Sequence, residues 1–320
     1  MTAPGELVGE LLLREARAAN DTYYIVADGT LNGTEPFIEA YPDRFLNVGI
    51  AEQNAVSIAA GLAFSGKQVY LWNCSTFLLY RPFDQLRVDA AFARTRLRLI
   101  GTSSGLTRAA SGIAHIAIED LAVMRALPNM TVLCPGDLVE ARQLLDQCRE
   151  IDGPVYVRFA LENHDLPEIH GPDTRVTLGK ALTVTQGADA ALIATGNMLP
   201  VARGWVDEFA EAGLAVRLVS MPSIKPFDSV AVAALVSERL PIITLEDHSV
   251  IGGLGSAVAE AIAETGSGVP FRRVGVPDRY PYVVGTPDYL GEHFGVPGVS
   301  ELRKWLDEHI TSARRPSPGP

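Results

Sequence analysis

The sequence is poor in cysteine, has no long apolar run and shows no pattern of a cleavable leader. Only three cysteines, Cys74, Cys134 and Cys148, occur among its 320 residues. Their odd number and their spacing match no disulfide framework or metal motif, so we expect reduced thiols in a cytoplasmic protein. No apolar run reaches the roughly 18 residues that a membrane helix needs, and the first residues lack the pattern of a signal peptide. Neither feature points to a membrane protein.

Positive charge is also scarce. The chain has 27 lysine and arginine residues against 38 aspartate and glutamate residues, which gives a formal net charge of −11. Nucleic-acid binding needs clustered basic side chains that neutralise phosphates, so this balance argues against such a partner. The hydrophobic content of 47% is that of an ordinary globular protein. A length of 320 residues suggests two domains, each with its own core.

Strand-like and helix-like apolar patterns alternate along the chain. In the second half they predict strands over 190–195, 215–220 and 241–246, and helices over 198–212, 228–238 and 255–264. Such alternation is typical of parallel sheets with helices on both faces. We therefore predict an α/β protein with two doubly wound domains, over residues 1–165 and 178–311, joined by a polar linker at 162–177. The Pro-rich residues 312–320 are predicted to be a disordered tail.

The most informative stretch covers residues 44–87. Apolar residues from Ala51 to Ala63 follow the spacing of a helix that is buried on nearly all sides, and Glu52 stands at its start. An ionisable side chain that enters an apolar layer is costly unless a partner pairs with it. The helix dipole also favours an acidic residue in the first turn, so Glu52 by itself does not define a site.

Three aromatic residues follow this helix at a spacing of three: Phe77, Tyr80 and Phe83. Pro82 interrupts any regular helix through this segment and can begin a new one. The aromatic side chains are therefore predicted to lie on a loop and on a helix start. Next to a buried carboxylate, they favour a pocket for a flat heterocycle with a protonatable nitrogen.

Three blocks of sequence together resemble a known family: GIAEQNAVSIAAGLA, STFLLYRPFDQLR and GIAHIAIEDLAVMRALPNMTVLCP. They are similar to the pyrimidine-binding domain of transketolases, and the chain as a whole looks most like the C-terminal subunit of a split, two-chain transketolase. The resemblance implies thiamine diphosphate as the cofactor, with Glu52 against its aminopyrimidine ring. It also implies that Phe77, Tyr80 and Phe83 form the platform on which this ring stacks.

The resemblance suggests further site residues. Asp28, at the end of a predicted strand over 23–27, matches an Asp that lies near the thiazolium ring in the family. A turn-capping role for Asp28 remains an open alternative. His115 matches a His that hydrogen-bonds the oxygen atoms of the substrate, where an imidazole can stabilise a developing alkoxide.

The departures from the family concern the substrate. Ser103 or Ser104 stands where a His is usual, and Ser111 stands where an Asp commonly reads a substrate hydroxyl. The phosphate-gripping Arg is expected about three positions after Arg158, where this chain has Leu161. Loss of a bidentate phosphate clamp removes strong charge-assisted hydrogen bonds. We therefore expect a donor or acceptor other than a standard sugar phosphate, with Ser103 and Ser111 among its contacts.

Two features of the second half have weaker chemical content. The turn from Gly252 to Ser256 resembles a phosphate cradle, but it matches a turn that does not hold the cofactor in the family, and we interpret it as structural. Glu246, Asp247 and His248 form a polar cluster whose spacing supports no metal site. We expect this cluster at a subunit interface or at the mouth of the cleft.

No part of the sequence matches the domain that binds the diphosphate group and its Mg²⁺ or Ca²⁺ ion. A partner chain, the N-terminal transketolase subunit, is therefore expected, in an α2β2 heterotetramer with interfaces formed by the apolar helices near Glu52. Two other interpretations remain open: the β subunit of a 2-oxo acid dehydrogenase E1 component, and a non-catalytic pseudo-subunit. A deoxyxylulose phosphate synthase is less favoured, because that enzyme usually keeps all its domains in one chain.

Overall fold

The computed structural model describes residues 2–161 and 164–313. The helices are α1 Pro4–Ala18, α2 Glu35–Ala40, α3 Glu52–Phe64, α4 Ser75–Leu79, α5 Phe83–Gln85, α6 Asp120–Ala126, α7 Leu138–Cys148, α8 Met198–Glu211, α9 Ser229–Ser237, α10 Leu254–Glu264, α11 Pro287–Phe294 and α12 Val299–Ala313. The strands are β1 Thr22–Val26, β2 Phe45–Asn47, β3 Gln68–Cys74, β4 Leu97–Thr102, β5 Thr131–Leu133, β6 Val155–Arg158, β7 Leu182–Thr185, β8 Ala190–Ala194, β9 Val216–Ser220, β10 Ser223–Lys225, β11 Ile242–Ser249 and β12 Phe271–Val276. A π-helix, Leu86–Phe92, continues α5, and short 3₁₀-helices cover Pro42–Arg44, Ala109–Ser111 and Ile113–His115.

The first sheet has seven strands in the order β10-β5-β6-β4-β3-β1-β2, and all but β10 run parallel. Its central strands β3 and β4 are almost fully buried, because helices cover both faces of the sheet. The second sheet has five strands in the order β12-β11-β8-β9-β7, of which only β7 is antiparallel. The prediction of two doubly wound α/β domains is confirmed.

The two sheets are joined by a strand pairing as well as by the segment that connects the domains. Strand β10 follows β9 of the second sheet, yet it pairs with β5 of the first, with Ser223 opposite Leu133. Residues 162 and 163 of the predicted linker lie outside the described part of the chain. Of the predicted tail, residues 312–313 belong to α12, and 314–320 also lie outside the described residues.

Helix α3 is buried on one side rather than on nearly all sides. Ala55, Val56 and Ala59 pack into the core of the first domain, but Phe64 is 66% exposed. Ile50, just before the helix, is 73% exposed. The apolar spacing identified the helix correctly, whereas its second apolar face has no cover within the described residues.

The cluster of Glu246, Asp247 and His248 is a buried contact between the two domains, so the expectation of a cleft mouth or an interface was wrong. All three side chains lie on β11 and are shielded from solvent. Asp247 accepts hydrogen bonds from the backbone N–H of Leu106 and from Nδ2 of Asn197. The cluster therefore binds the segment between β4 and α6 of the first domain to β11 of the second domain.

Within residues 2–161 and 164–313, no helix combines the length and the apolar character that a membrane span requires.

Candidate functional site

A cavity of about 310 Å³ opens at the carboxyl ends of β1, β3 and β4. Open α/β sheets place ligands at this edge, because the loops that follow parallel strands converge there. The cavity is lined by Ala27, Asp28, Gly29, Ile50, Glu52, Trp72, Asn73, Cys74, Phe77, Arg81, Thr102, Ser103, Arg108 and His115. The fold therefore brings Asp28, Glu52, Phe77, Ser103 and His115 of the expected site into one cavity.

Glu52 is the first residue of α3, and its carboxylate faces the aromatic ring of Phe77 across a guanidinium group. Nη1 of Arg81 donates a hydrogen bond to Oε1 of Glu52 at 2.6 Å. The Cζ atom of Arg81 lies 4.2 Å from the centroid of the Phe77 ring. A flat, positively charged group thus contacts both the buried carboxylate and the aromatic face.

Phe77 lies within α4, a short helix at the end of β3, and not on a loop as the sequence suggested. The helix ends before Tyr80, and the next helix begins at Phe83 rather than at Pro82. Pro82 therefore separates two short helices, which is the local effect expected of its fixed φ and missing N–H. Two features differ from the expectation: Phe77 lies on a helix, and the next helix begins one residue later.

His115 closes the cavity on the side of the β4–α6 segment. Its ring packs edge-on against Phe77, with the ring centroids 5.1 Å apart. Its Nδ1 atom is buried and has no hydrogen-bond partner among the described residues. A buried polar atom without a partner costs free energy, so this nitrogen is available to a bound ligand.

Asp28 and Ser103 follow β1 and β4, and both have left-handed backbone conformations, with φ of 76° and 57°. Asn47 fixes the turn at Asp28: its Nδ2 donates to the Asp28 carbonyl oxygen at 2.5 Å. Non-glycine residues adopt this region infrequently, and such conformations often occur where a side chain must be held in one direction. Asp28 is exposed, whereas Ser103 is buried.

Three expected site residues do not line this cavity. The hydroxyl of Tyr80 donates to Oε2 of Glu119 at 2.8 Å, in a neighbouring cavity of about 370 Å³. Phe83 packs against the core of the first domain. Ser111 is exposed at the end of a 3₁₀-helix. Their roles remain predictions.

The sequence reasoning missed Arg81, Arg108 and Trp72. Arg81 stands between two of the aromatic residues, and an Arg before Pro82 in a predicted turn was a usable signal. Arg108 lies in a segment that reads as a small-residue loop, so its position on the cavity wall depends on the tertiary fold. Trp72 lies within the buried strand β3, two residues before its end, and its Nε1 donates to Oγ1 of Thr102 at 3.1 Å.

The glycine-rich turn at 252–256 is structural, as expected. The Glu246 carboxylate accepts hydrogen bonds from the N–H groups of Leu254 and Gly255, at 2.7 and 2.8 Å. The first N–H groups of α10 are therefore already occupied by the chain's own anion. Burial raises the pKa of Glu246 to about 7, against the opposing effect of these two hydrogen bonds.

Outside the cavity, Asp137, Glu140 and His170 bring potential metal-ligand atoms within 4.8 Å of one another. Each carboxylate already accepts hydrogen bonds: Asp137 from the backbone N–H of Glu140, and Glu140 from the backbone N–H of Gly136 and the hydroxyl of Ser220. Burial raises the pKa of Glu140 to about 7. The group connects α7 to the linker and to β9, and we assign it a structural role.

Both halves of the chain match one family of proteins. Residues 5–164 match the family described as "Transketolase, pyrimidine binding domain", and residues 179–297 match "Transketolase, C-terminal domain". The chain is 36% identical to a subunit of the apulose-4-phosphate transketolase of Actinobacillus succinogenes, over 86% of this chain and 88% of that protein. It is also 36% identical to the 6-deoxy-6-sulfo-D-fructose transketolase subunit SqwH of a Clostridium species, over 92% and 90% of the two chains.

The fold is also similar to that of a solved structure. It superposes on a chain described as a split gene transketolase in an inactive beta4 tetramer, with a TM-score of 0.86 and 33% sequence identity. The match covers 98% of this chain and 100% of the solved one. The similarity therefore extends over both domains and over their relative arrangement.

Proposed function

This chain belongs to the transketolase family, and we propose that it is the subunit that contributes the aminopyrimidine side of a thiamine diphosphate site shared between two chains. The family implies dependence on thiamine diphosphate. In this proposal the enzyme moves a two-carbon ketol unit from a ketose donor to an aldehyde or carrier-linked acceptor. The single observation that carries it is the presence of Glu52 and Phe77 in one cavity at the edge of a parallel sheet.

The residues of the cavity fit the aminopyrimidine ring. Arg81 already places a flat, hydrogen-bonding cation against Oε1 of Glu52 and 4.2 Å from the Phe77 centroid. A flat ring with a protonated or proton-sharing nitrogen can make the same two contacts. Glu52 would accept the hydrogen bond from this ring, Phe77 would stack on it, and Tyr80 and Phe83 would support the platform. When bound, the cofactor supplies the carbon nucleophile that cleaves and forms carbon–carbon bonds.

The remaining polar groups face the space beside the ring. His115 offers a buried Nδ1 without a partner among the described residues, and we assign it to the substrate's oxygen atoms, where it donates or accepts a proton. Ser103 and Asp28 line the same cavity, and we assign Asp28 to the thiazolium side of the cofactor. Ser111 stays a candidate substrate contact that would need the loop at 109–112 to close. The protein's part is to hold these groups in position and to exclude water.

A partner chain must hold the diphosphate end. Among the described residues, no group of potential metal ligands lies on the cavity wall. We therefore assign the Mg²⁺ or Ca²⁺ ion to an N-terminal, diphosphate-binding transketolase subunit, in an α2β2 heterotetramer in the cytoplasm. This chain alone would then be inactive, as the related solved tetramer is described.

The substrate is proposed to differ from a standard sugar phosphate. Leu161 stands where the family's phosphate-gripping Arg is expected, and Arg108 offers a guanidinium group elsewhere on the cavity wall. Two relatives are named for apulose 4-phosphate and 6-deoxy-6-sulfo-D-fructose, and both of these sugars carry an anionic group. We propose a substrate of this general class, whose anionic group is bound by Arg108.

The test is purification of a tagged chain from its source organism, with identification of the subunit that accompanies it. The complex is then supplied with thiamine diphosphate and Mg²⁺. Turnover of fructose 6-phosphate and xylulose 5-phosphate is compared with turnover of unphosphorylated, sulfonated and carrier-linked substrates. We expect ketol transfer by the complex only and low efficiency with the two sugar phosphates. Full activity of the isolated chain would overturn the shared site, and normal efficiency with the sugar phosphates would overturn the substrate class.

A further inference from the structure

The guanidinium group of Arg81 occupies a defined place in the candidate site. Arg81 lies in the turn between α4 and α5, and its Nη1 donates to Oε1 of Glu52 at 2.6 Å. Its Cζ atom lies 4.2 Å from the centroid of the Phe77 ring, within the range of a cation–π contact. A flat cation therefore bridges the carboxylate and the aromatic face.

The proposed cofactor ring requires the same two contacts. An aminopyrimidine is flat, needs the carboxylate of Glu52 at its ring nitrogen, and stacks on the face of Phe77. Two flat groups cannot both stack on that face beside Glu52. We propose that Arg81 holds the place of the cofactor ring in the unloaded chain and is displaced when the ring binds. This inference rests on the proposed function of the site.

The structure offers Arg81 a second position. Arg81 lines both the candidate site and the neighbouring cavity of about 370 Å³, so its side chain forms the wall between them. The neighbouring cavity is also lined by Glu119 and by Tyr280 of the second domain. The carboxylate of Glu119, which accepts a hydrogen bond from the Tyr80 hydroxyl at 2.8 Å, is the anionic group of this cavity towards which Arg81 can turn.

The movement is confined to the side chain. The backbone carbonyl oxygen of Arg81 accepts a hydrogen bond from Nε2 of Gln53 at 3.2 Å, which ties the turn to α3. Pro82, the next residue, fixes its own φ and stiffens the turn further. The guanidinium group therefore swings from Glu52 towards Glu119 about a fixed main chain.

The free energy of the Arg81–Glu52 ion pair is small enough for a bound ring to displace Arg81. The Arg81 side chain is 47% exposed, whereas that of Glu52 is only 9% exposed. An ion pair with one exposed partner contributes little net free energy, so a well-bound ring can displace it. Without Arg81, the nearly buried carboxylate of Glu52 would stay unpaired until the cofactor arrives, which is costly. Arg81 thus stabilises the unloaded site and lowers the apparent affinity for the cofactor.

The first test measures binding of thiamine diphosphate with Mg²⁺ to the complex of this chain with its partner subunit. Trp72 lines the site, so quenching of tryptophan fluorescence gives both the dissociation constant and the association rate. We expect Arg81→Met to lower the dissociation constant roughly tenfold, since the ring no longer competes with an ion pair and a cation–π contact. The matched control is Arg203→Met, which removes an exposed Arg–Asp207 pair on α8 of the second domain and should leave binding unchanged.

The second test uses the unaltered protein, so it does not depend on how the variant folds. Phenylglyoxal modifies exposed guanidinium groups, and mass spectrometry of the peptide with Arg81 measures its extent. We expect saturating thiamine diphosphate to increase the modification of Arg81, because the ring releases it from Glu52 and Phe77. A residue that directly binds the cofactor would instead be protected.

The outcomes separate this inference from the function on which it rests. If the complex binds thiamine diphosphate but Arg81→Met binds it no tighter, or if Arg81 is protected from phenylglyoxal, the place-holder is overturned and the proposed function stands. If neither the unaltered complex nor the variant binds thiamine diphosphate at millimolar concentration, both are overturned. Tighter binding by the variant together with increased modification of Arg81 supports the inference.

Discussion

A single carboxylate decides what the cavity can do. Glu52 has little contact with solvent and is the first residue of α3. It lines the cavity together with the aromatic ring of Phe77. It would be costly to keep there without a partner, and within the described residues Arg81 supplies one. A purely structural scaffold would gain nothing from this arrangement, because an apolar residue would pack there equally well.

Replacement of this carboxylate separates an enzyme from a scaffold. In the assembled complex, we expect Glu52→Gln to lower kcat by at least about 100-fold, because the amide cannot take part in proton sharing with the cofactor ring. The free energy of unfolding should change by less than about 1 kcal/mol, since the Glu52–Arg81 pair is half-exposed on the arginine side. Steady-state kinetics and urea denaturation measure the two quantities.

The control for this variant is Glu238→Gln. It removes the partner of another arginine, Arg217, whose Nη2 lies 2.7 Å from Glu238, in the second domain. This change should leave kcat unaltered. Retention of full activity by Glu52→Gln would favour the pseudo-subunit.

At the scale of secondary-structure elements, the sequence predicted what depends on local pattern. Apolar spacing located α3 and the buried strands β1, β8, β9 and β11, because a buried strand or helix must repeat its apolar side chains with a fixed period. It missed α4, since five residues with a following proline carry too little periodicity. It also could not show that β10 leaves the second sheet for the first, because strand pairing is a long-range property.

The candidate site was predictable to the extent that its residues belong to one motif. Glu52, Phe77 and His115 fall within blocks with a recognisable pattern, and the fold brings them together. Arg108 reaches the cavity only through the path of the β4–α6 segment. Asp247 of the other domain sets that path, because it accepts a hydrogen bond from the backbone N–H of Leu106. It also lies against Gly105 so closely that a Cβ atom at this position would be 2.1 Å from Oδ2 of Asp247. No local pattern contains such a contact.

Helix α10 depends on a buried acid, and this makes the stability of the protein depend on pH. Glu246 accepts the first N–H groups of α10, yet burial raises its pKa to about 7 from an ordinary value of 4.5. A raised pKa means that the folded state binds the proton more tightly than the unfolded state. The protonated form of Glu246 therefore stabilises the folded state fully below pH 4.5, and this contribution is lost as the pH rises to about 7.

We therefore expect the free energy of unfolding of the unaltered protein to fall by about 2 kcal/mol, relative to Glu246→Gln, between pH 5.5 and pH 8. Urea denaturation of both proteins across this range measures the difference. The control is Glu264→Gln, an exposed position at the other end of the same helix. Its free energy of unfolding should depend on pH in the same way as that of the unaltered protein. A constant difference between Glu246→Gln and the unaltered protein would contradict the raised pKa.

At the scale of the whole molecule, the two domains form one unit through buried polar contacts. Nε of Arg158 donates to Oδ2 of Asp120 at 2.7 Å, and its Nη2 donates to the backbone oxygen of Asp247 in the second domain. Both side chains of the pair are almost fully buried. Breaking such a pair from one side leaves an uncompensated charge and is strongly destabilising, which favours a fixed arrangement of the domains. The β4–α6 segment, which carries Ser103, Arg108 and His115 of the cavity wall, is thereby fixed against the second domain.

The first domain also carries an apolar surface that the described part of the chain does not cover. Helix α3 packs against the π-helix, and at their carboxyl-terminal ends Phe64 and Phe92 are 66% and 82% exposed. Large apolar side chains grouped in this way usually mark an interface. Ile50, just before the other end of α3, is 73% exposed and lines the cavity. A partner chain that lies along the whole of α3 would therefore cover both this surface and the site.

Substitutions on this surface should uncouple assembly from folding. We expect Phe92→Asp to raise the dissociation constant of the heterotetramer by at least about 100-fold, because a buried aromatic contact of about 3 kcal/mol is replaced by a charge that must be desolvated. The isolated chain should keep its melting temperature, since Phe92 contributes little to the core. Native mass spectrometry with the partner subunit measures the assembly, and circular dichroism measures the melting temperature. Val230→Asp, an equally apolar position that is 70% exposed on α9 of the second domain, should assemble normally. Equal assembly of both variants would place the partner on another face, and the half-site around Glu52 would then need a different cover.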